Sequence, residues 1–160
     1  MNMRLIHPFF TIPRALIACL LIFFDAGSTA YACSCAETPA LDKAVDDSTV
    51  VFLGRVTLAT TNPLRPNQRE VRFNLSKLFK DETGMLTRNE VVIYTAEDQS
   101  LCGYTFVQNQ DYLVFATGNA AKLSTSLCSR TRIFEAAQVD VDELTKRVST
   151  SAGSGSSSFK

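Results

Sequence analysis

Thr49-Val50-Val51-Phe52-Leu53-Gly54-Arg55-Val56-Thr57-Leu58-Ala59 is long, rich in β-branched residues and interrupted once, by Gly54. That composition predicts a strand, and a glycine inside such a run marks a bulge or the sharp bend of a barrel corner. The reading extends downstream. Over residues 70–79, Val71, Phe73 and Leu75 alternate with Arg72, Asn74 and Ser76, so one face is buried and the other wet. Further strands are predicted over 90–95 (EVVIYT), 101–107 (LCGYTFV), 112–117 and 123–128. Residues 62–67 (NPLRPN) read as a loop and 81–89 as a turn region around Gly84.

Helices are predicted at both ends of this run. Thr38 and Pro39 precede Ala40, Leu41, Ala44 and Val45, a short helix with Thr38 as its cap. Asp140 and Glu143 have the spacing of a capping box ahead of a terminal helix, with Val141, Leu144 and Val148 inward. Residues 149–160 (TSAGSGSSSFK after Ser149) read as a disordered serine- and glycine-rich tail. Five or six short antiparallel strands with a bend-forming glycine predict a small closed barrel, a Greek-key sandwich being the alternative.

The chain has 160 residues, 16 basic and 16 acidic side chains, one histidine and five cysteines. Balanced charge argues against a nucleic-acid binder. Residues 1–32 have the pattern of a secretory signal peptide: Arg4 and Arg14, an apolar run over 15–24, and Ala30-Tyr31-Ala32 as the cleavage signal. Cleavage after Ala32 would remove His7 and Cys19. The exported chain would then lack histidine, which excludes a Ser-His-Asp or Cys-His catalytic group and any zinc site with a histidine ligand. No enzymatic activity and no cofactor are expected. Asp46, Asp47, Asp140, Asp142 and Glu143 read as helix-end and surface charges. Lys77, Lys80, Arg130 and Arg132 read as solvated surface, and Tyr94, Phe106, Tyr112 and Phe115 as core.

Cys33, Cys35, Cys102 and Cys128 remain, and in an exported chain four cysteines imply two disulfides. Cys33 and Cys35 are too close in sequence for an unstrained bond to each other. Two arrangements stay open: 33–102 with 35–128, or 33–128 with 35–102.

Cleavage would expose Cys33-Ser34-Cys35 as the amino terminus, followed by Ile93-Tyr94-Thr95-Ala96, Leu101-Cys102-Gly103 and Leu127-Cys128. From Cys33 to about Leu144 this frame resembles the N-terminal, netrin-like domain of the tissue inhibitors of metalloproteinases. The resemblance implies a mainly β OB-fold, a five-stranded Greek-key barrel over residues 33–148, with a short N-terminal and a C-terminal helix. It implies the pairing Cys33–Cys102 and Cys35–Cys128. It also implies a ridge in which Cys33, Ser34 and Cys35 lie beside Gln99, Ser100 and Leu101 and dock on a zinc metalloprotease. The amine and carbonyl oxygen of Cys33 would chelate the target's zinc, and Ser34 would point into the substrate-side pocket. The protein is expected to act as a secreted or periplasmic monomer, bound to no nucleic acid and, after cleavage, to no membrane. The short apolar leader suggests a bacterial exporter. The sequence departs from the family in lacking cysteines for a third disulfide and in having no second, cysteine-rich domain. It also places Glu37 near the contact and keeps residues 60–67 short.

Two other readings compete. A non-inhibitory OB-fold module could bind a protein or glycan outside the cytoplasm, since one fold hosts many functions. A lipoprotein acylated at Cys33 fits poorly, because Ala30-Tyr31-Ala32 departs from a lipobox and three cysteines would remain.

Overall fold

The computed structural model describes residues 33–84, 86 and 89–154. The signal-peptide reading of residues 1–32 lies outside them.

The chain is mainly β. Helix α1 (Leu41–Asp46) leads into β1 (Val50–Asn62), β2 (Arg65–Asp81) and β3 (Glu90–Ala96). A 3₁₀ turn (Gln99–Leu101) follows, then β4 (Asp111–Asn119), β5 (Lys122–Ser124), β6 (Arg132–Ile133) and α2 (Phe134–Ser154). The six strands form one sheet in the order β1-β2-β3-β5-β4-β6, and β1 also pairs with β4. Five strands therefore close into a ring, with β6 attached outside it on β4. All pairings are antiparallel except the short β3–β5 contact, Ile93 with Leu123 and Tyr94 with Ser124.

Period-two patterning builds two apolar layers from the same strands. Val50, Phe52 and Val56 of β1 join Val71, Phe73, Val91, Ile93, Phe106, Tyr112 and Val114 in one cluster, with Phe73 edge-on to both Phe52 and Phe106. Val51, Leu113 and Phe115 face the other way and pack against Ala44 of α1 and Ala137, Val141 and Leu144 of α2. The two helices thus cover the outer face of the β1–β4 pair. Lysines of β2 pin them there: Lys80 donates to the Val45 carbonyl at 2.8 Å and Lys77 to the Thr145 hydroxyl at 2.7 Å. Gly54 behaves as its sequence context predicts. The register slips between Leu53 and Gly54, and a Cβ there would lie 2.9 Å from the Asn74 carbonyl oxygen and 3.1 Å from the Phe52 ring.

Several local expectations give way. Residues 62–67 are not a loop: only Pro63 and Leu64 turn, with the Asn62 side chain accepting from the Leu64 amide at 3.0 Å. The strands run through because a register irregularity after Thr61 leaves Pro66, which lacks an N–H, out of the β1 ladder. Residues 101–107 form no strand. The amides of Tyr104 and Val107 are taken instead by the Thr95 and Tyr112 hydroxyls, at 2.8 and 3.0 Å. The strand predicted over 123–128 ends at Ser124, and β6 had no counterpart in the sequence pattern. The cap of α1 is Ala40 rather than Thr38, with no side-chain cap bond. Asp140 caps nothing: α2 starts at Phe134 and Asp140 lies buried within it. Val148 is exposed. The helix continues through 149–154, into the segment whose composition predicts disorder, and residues 155–160 lie outside the described residues.

Candidate functional site

The two bridges are Cys33–Cys102 and Cys35–Cys128, each with a Cα–Cα separation of 5.2 Å. They span 69 and 93 positions of sequence, so the segment ahead of α1 is fastened to two distant loops. The Sγ atoms of Cys33 and Cys128, from different bridges, are 3.9 Å apart.

The loop that receives Cys33 is shaped by Asp98. Its carboxylate accepts from the Ser100 amide at 2.9 Å, and its carbonyl accepts from Leu101 and Gly103 at 3.0 and 2.9 Å. These bonds wind Gln99, Ser100 and Leu101 into one 3₁₀ turn and turn their side chains to solvent. Cys102 then adopts a left-handed conformation, φ 61°. A non-glycine residue seldom occupies that region, and here a disulfide and the Gln99 carbonyl, which accepts from the Cys102 amide at 3.0 Å, hold it. The next residue has to be glycine for a different reason. A Cβ on Gly103 would sit 2.2 Å from the Ala96 carbonyl oxygen, so the loop folds back flush against the end of β3. Glu97, at the root of the loop, ties it to the β1–β2 hairpin by donating its amide to Asn67 and accepting from the Thr61 hydroxyl, both at 3.0 Å.

The second receiving loop lies alongside. Leu127 donates its amide to the Cys102 carbonyl at 2.8 Å, which sets Cys102 and Cys128 side by side independently of the bridges. Leu101 and Leu127 are both exposed there, 55% and 41% accessible. Sequence reasoning placed Leu101 in the expected contact, and Leu127 only in the cysteine frame. The Leu127-Cys128 pairing was visible in sequence, whereas its contact with Cys102 joins residues far apart along the chain.

Cys33, Ser34 and Cys35 complete this surface. The cysteines are half-buried and Ser34 is exposed between them, as are Ala36, Glu37 and Thr38 beyond. Of the residues expected at one site, Cys33 is covalently joined to the residue that ends the Gln99-Ser100-Leu101 turn, and Ser34 and Cys35 follow it directly.

The segment is anchored from behind by Arg130, which donates to the Pro39 carbonyl at 2.7 Å and to the Asp140 carboxylate at 2.7 and 2.9 Å. Arg132 binds the same carboxylate. Burial pushes the Asp140 carboxyl up, but the hydrogen bonds and charges of the two arginines outweigh it and hold the group below the usual carboxylate range. Asp140 is therefore no surface charge, and Arg130 is not solvated surface. The pattern Arg130-Thr131-Arg132 offers no local hint of this, since its partner lies a turn and a half into the following helix.

All four sulfurs are consumed in bridges, leaving no thiolate to act as nucleophile or ligand. Among the described residues no helix is long and apolar enough to cross a membrane. In comparison with known proteins, the model of the family described as tissue inhibitor of metalloproteinase matches residues 31–150. No curated protein matches the chain.

Proposed function

Because the chain belongs to the tissue inhibitor of metalloproteinase family, we propose that it is an exported inhibitor that blocks a zinc metalloproteinase by laying the Cys33 end of its ridge into the active site. A catalytic zinc keeps one coordination position open for water. The α-amine and carbonyl oxygen of a terminal Cys33 form a five-membered chelate that takes that position and displaces the water. Ser34 enters the adjoining substrate pocket, and Gln99, Ser100 and Leu101 pack along its rim. The observation that carries this reading is the Cys33–Cys102 bridge, which fastens residue 33 to the end of an exposed, tightly bonded turn. A ridge fixed by two bridges loses little conformational freedom on docking. The strand order β1-β2-β3-β5-β4 returning to β1 supports reading the ring as an OB-type barrel.

Chelation requires that the Ala32–Cys33 peptide bond be cut and that the new amine be neutral. An α-amine has an ordinary pKa of about 7.7–8.0. Inhibition should therefore weaken as pH falls below that range, where a proton competes with the metal. The decisive comparison is between a chain beginning at Cys33 and one carrying a single extra residue before it. The extended chain is expected to keep its fold and lose inhibition across a panel of zinc proteases. Equal inhibition by both would refute chelation. A correctly processed chain that inhibits none of the panel and instead captures another ligand would favour the non-inhibitory module.

A further inference from the structure

The two bridges are not separate staples. The Sγ atoms of Cys33, Cys35 and Cys128 all lie within 4.8 Å of one another, and Cys102 is bonded to the first of them. Four sulfurs from three distant parts of the chain thus share one small volume. A tetrahedral zinc–thiolate centre, with Zn–S near 2.3 Å, needs sulfurs about 3.8 Å apart along each edge. Cys33 and Cys128, from different bridges, already stand 3.9 Å apart.

We propose that, once both bridges are opened, Cys33, Cys35, Cys102 and Cys128 form a single tetrathiolate site for one soft divalent cation of the zinc and cadmium class. A phosphine gives each bridge two electrons and becomes its oxide, and the water that supplies the oxide's oxygen supplies the two protons, so each bridge becomes two thiols. Metal binding then expels the thiol protons to solvent as the thiolates coordinate. Four thiolates and no oxygen ligand select thiophilic ions over magnesium or calcium.

The scaffold keeps the ligands together without the bridges. The amide-to-carbonyl bond from Leu127 to Cys102 holds the loops that carry Cys102 and Cys128 side by side. The other half is the Cys33-Ser34-Cys35 segment, tethered at Pro39 by the Arg130 guanidinium. Cys35 is four residues from that anchor, a span of at most about 14 Å even fully extended. Within each former bridge, side-chain rotation separates the sulfurs to the tetrahedral edge. The bridged and metal-loaded states exclude each other, because each uses the same four sulfurs.

The test reduces the exported chain anaerobically with a phosphine, removes the reductant and titrates with Co²⁺ as a spectroscopic probe. The expected result is a sulfur-to-cobalt charge-transfer band with the d–d bands of tetrahedral cobalt. These should saturate at one ion per chain, be abolished by Zn²⁺ displacement and be absent from the oxidised chain. In parallel, the reduced chain is treated with a maleimide with and without Zn²⁺, and the adducts are counted by mass. Zn²⁺ should protect all four thiols. Absence of the cobalt bands, saturation at more than one ion, or protection of fewer than four thiols would overturn the proposal. The maleimide count needs no variant, so it stands even if Cys128→Ser, expected to lose the tetrahedral spectrum, fails to fold. Neither readout involves a protease, so the result leaves the inhibition reading untouched.

Discussion

Replacing Asp140 with alanine tests whether the C-terminal helix anchors the amino-terminal segment. Asp140 is only 5% accessible and receives two donors from Arg130 and a further one from Arg132. The Arg132 side chain is 37% accessible, so solvent screens that pair and it contributes little. The Arg130 side chain is 18% accessible, and without Asp140 its charge is left largely desolvated, with the Pro39 carbonyl as its remaining acceptor. Breaking a buried pair by removing one partner costs about 3–5 kcal/mol, and partial exposure places this case near about 3. For a domain of this size that corresponds to a fall of about 10 °C in melting temperature. Differential scanning calorimetry near pH 7 measures it directly. The penalty should also depend on pH. The folded carboxyl is held below its unfolded value of about 3.9, so its contribution is complete above that pH and lost as pH falls through the lower, folded value. The gap between wild type and Asp140→Ala should accordingly close in acid, while Arg130 stays charged throughout. A variant that melts within about 2 °C of wild type at neutral pH, or a gap unchanged at pH 2, would refute the clamp.

Other substitutions probe the ridge. Gly103→Ala forces a Cβ against the Ala96 carbonyl, so backbone must move; about 1–3 kcal/mol of destabilisation is expected in urea unfolding, with inhibition reduced because residues 99–102 shift with it. Leu101→Ser removes an exposed apolar side chain and should leave the melting temperature within about 2 °C, surface changes being worth at most about 0.5 kcal/mol, while weakening inhibition in a protease titration. The double variant Cys35→Ser with Cys128→Ser opens a bridge spanning 93 positions. Loop-closure entropy puts its cost at about 4–5 kcal/mol, read as a lower denaturant midpoint.

The strand ring was legible because its information is local. Alternation over 71–76, the β-branched run through Val50 and Val51, and the bulge at Gly54 each report which way a side chain faces, and that requirement repeats every two residues. Turns and ends were less legible. Pro63 and Pro66 look like a loop in sequence, yet only Pro63 and Leu64 turn, and an irregular ladder carries β2 through Pro66. Residues 101–107 look like a strand, yet side-chain hydroxyls take the amides of Tyr104 and Val107, the Asp98 carbonyl takes those of Leu101 and Gly103, and no ladder forms. The Asp140-to-Glu143 spacing suggests a cap only so long as the pairing of Asp140 with Arg130 and Arg132 is unknown.

Legible in the sequence alone were the alternating apolar faces, the set Cys33, Cys35, Cys102 and Cys128, and the family resemblance that set carries. Which of the two open pairings forms was implied by the family resemblance and by no local pattern, and the structure has that pairing; the clustering of the Cys33, Cys35 and Cys128 sulfurs came only with the closed ring. The carbonyl of Cys102 beside Leu127, the Gly103 contact with Ala96 and the Arg130–Asp140 clamp all join residues that are distant along the chain or across a turn. Periodicity records the environment of each residue but not the identity of its neighbour. Only closure of the sheet brings residue 33 to residue 102 and so creates an exposed ridge at that end of the molecule.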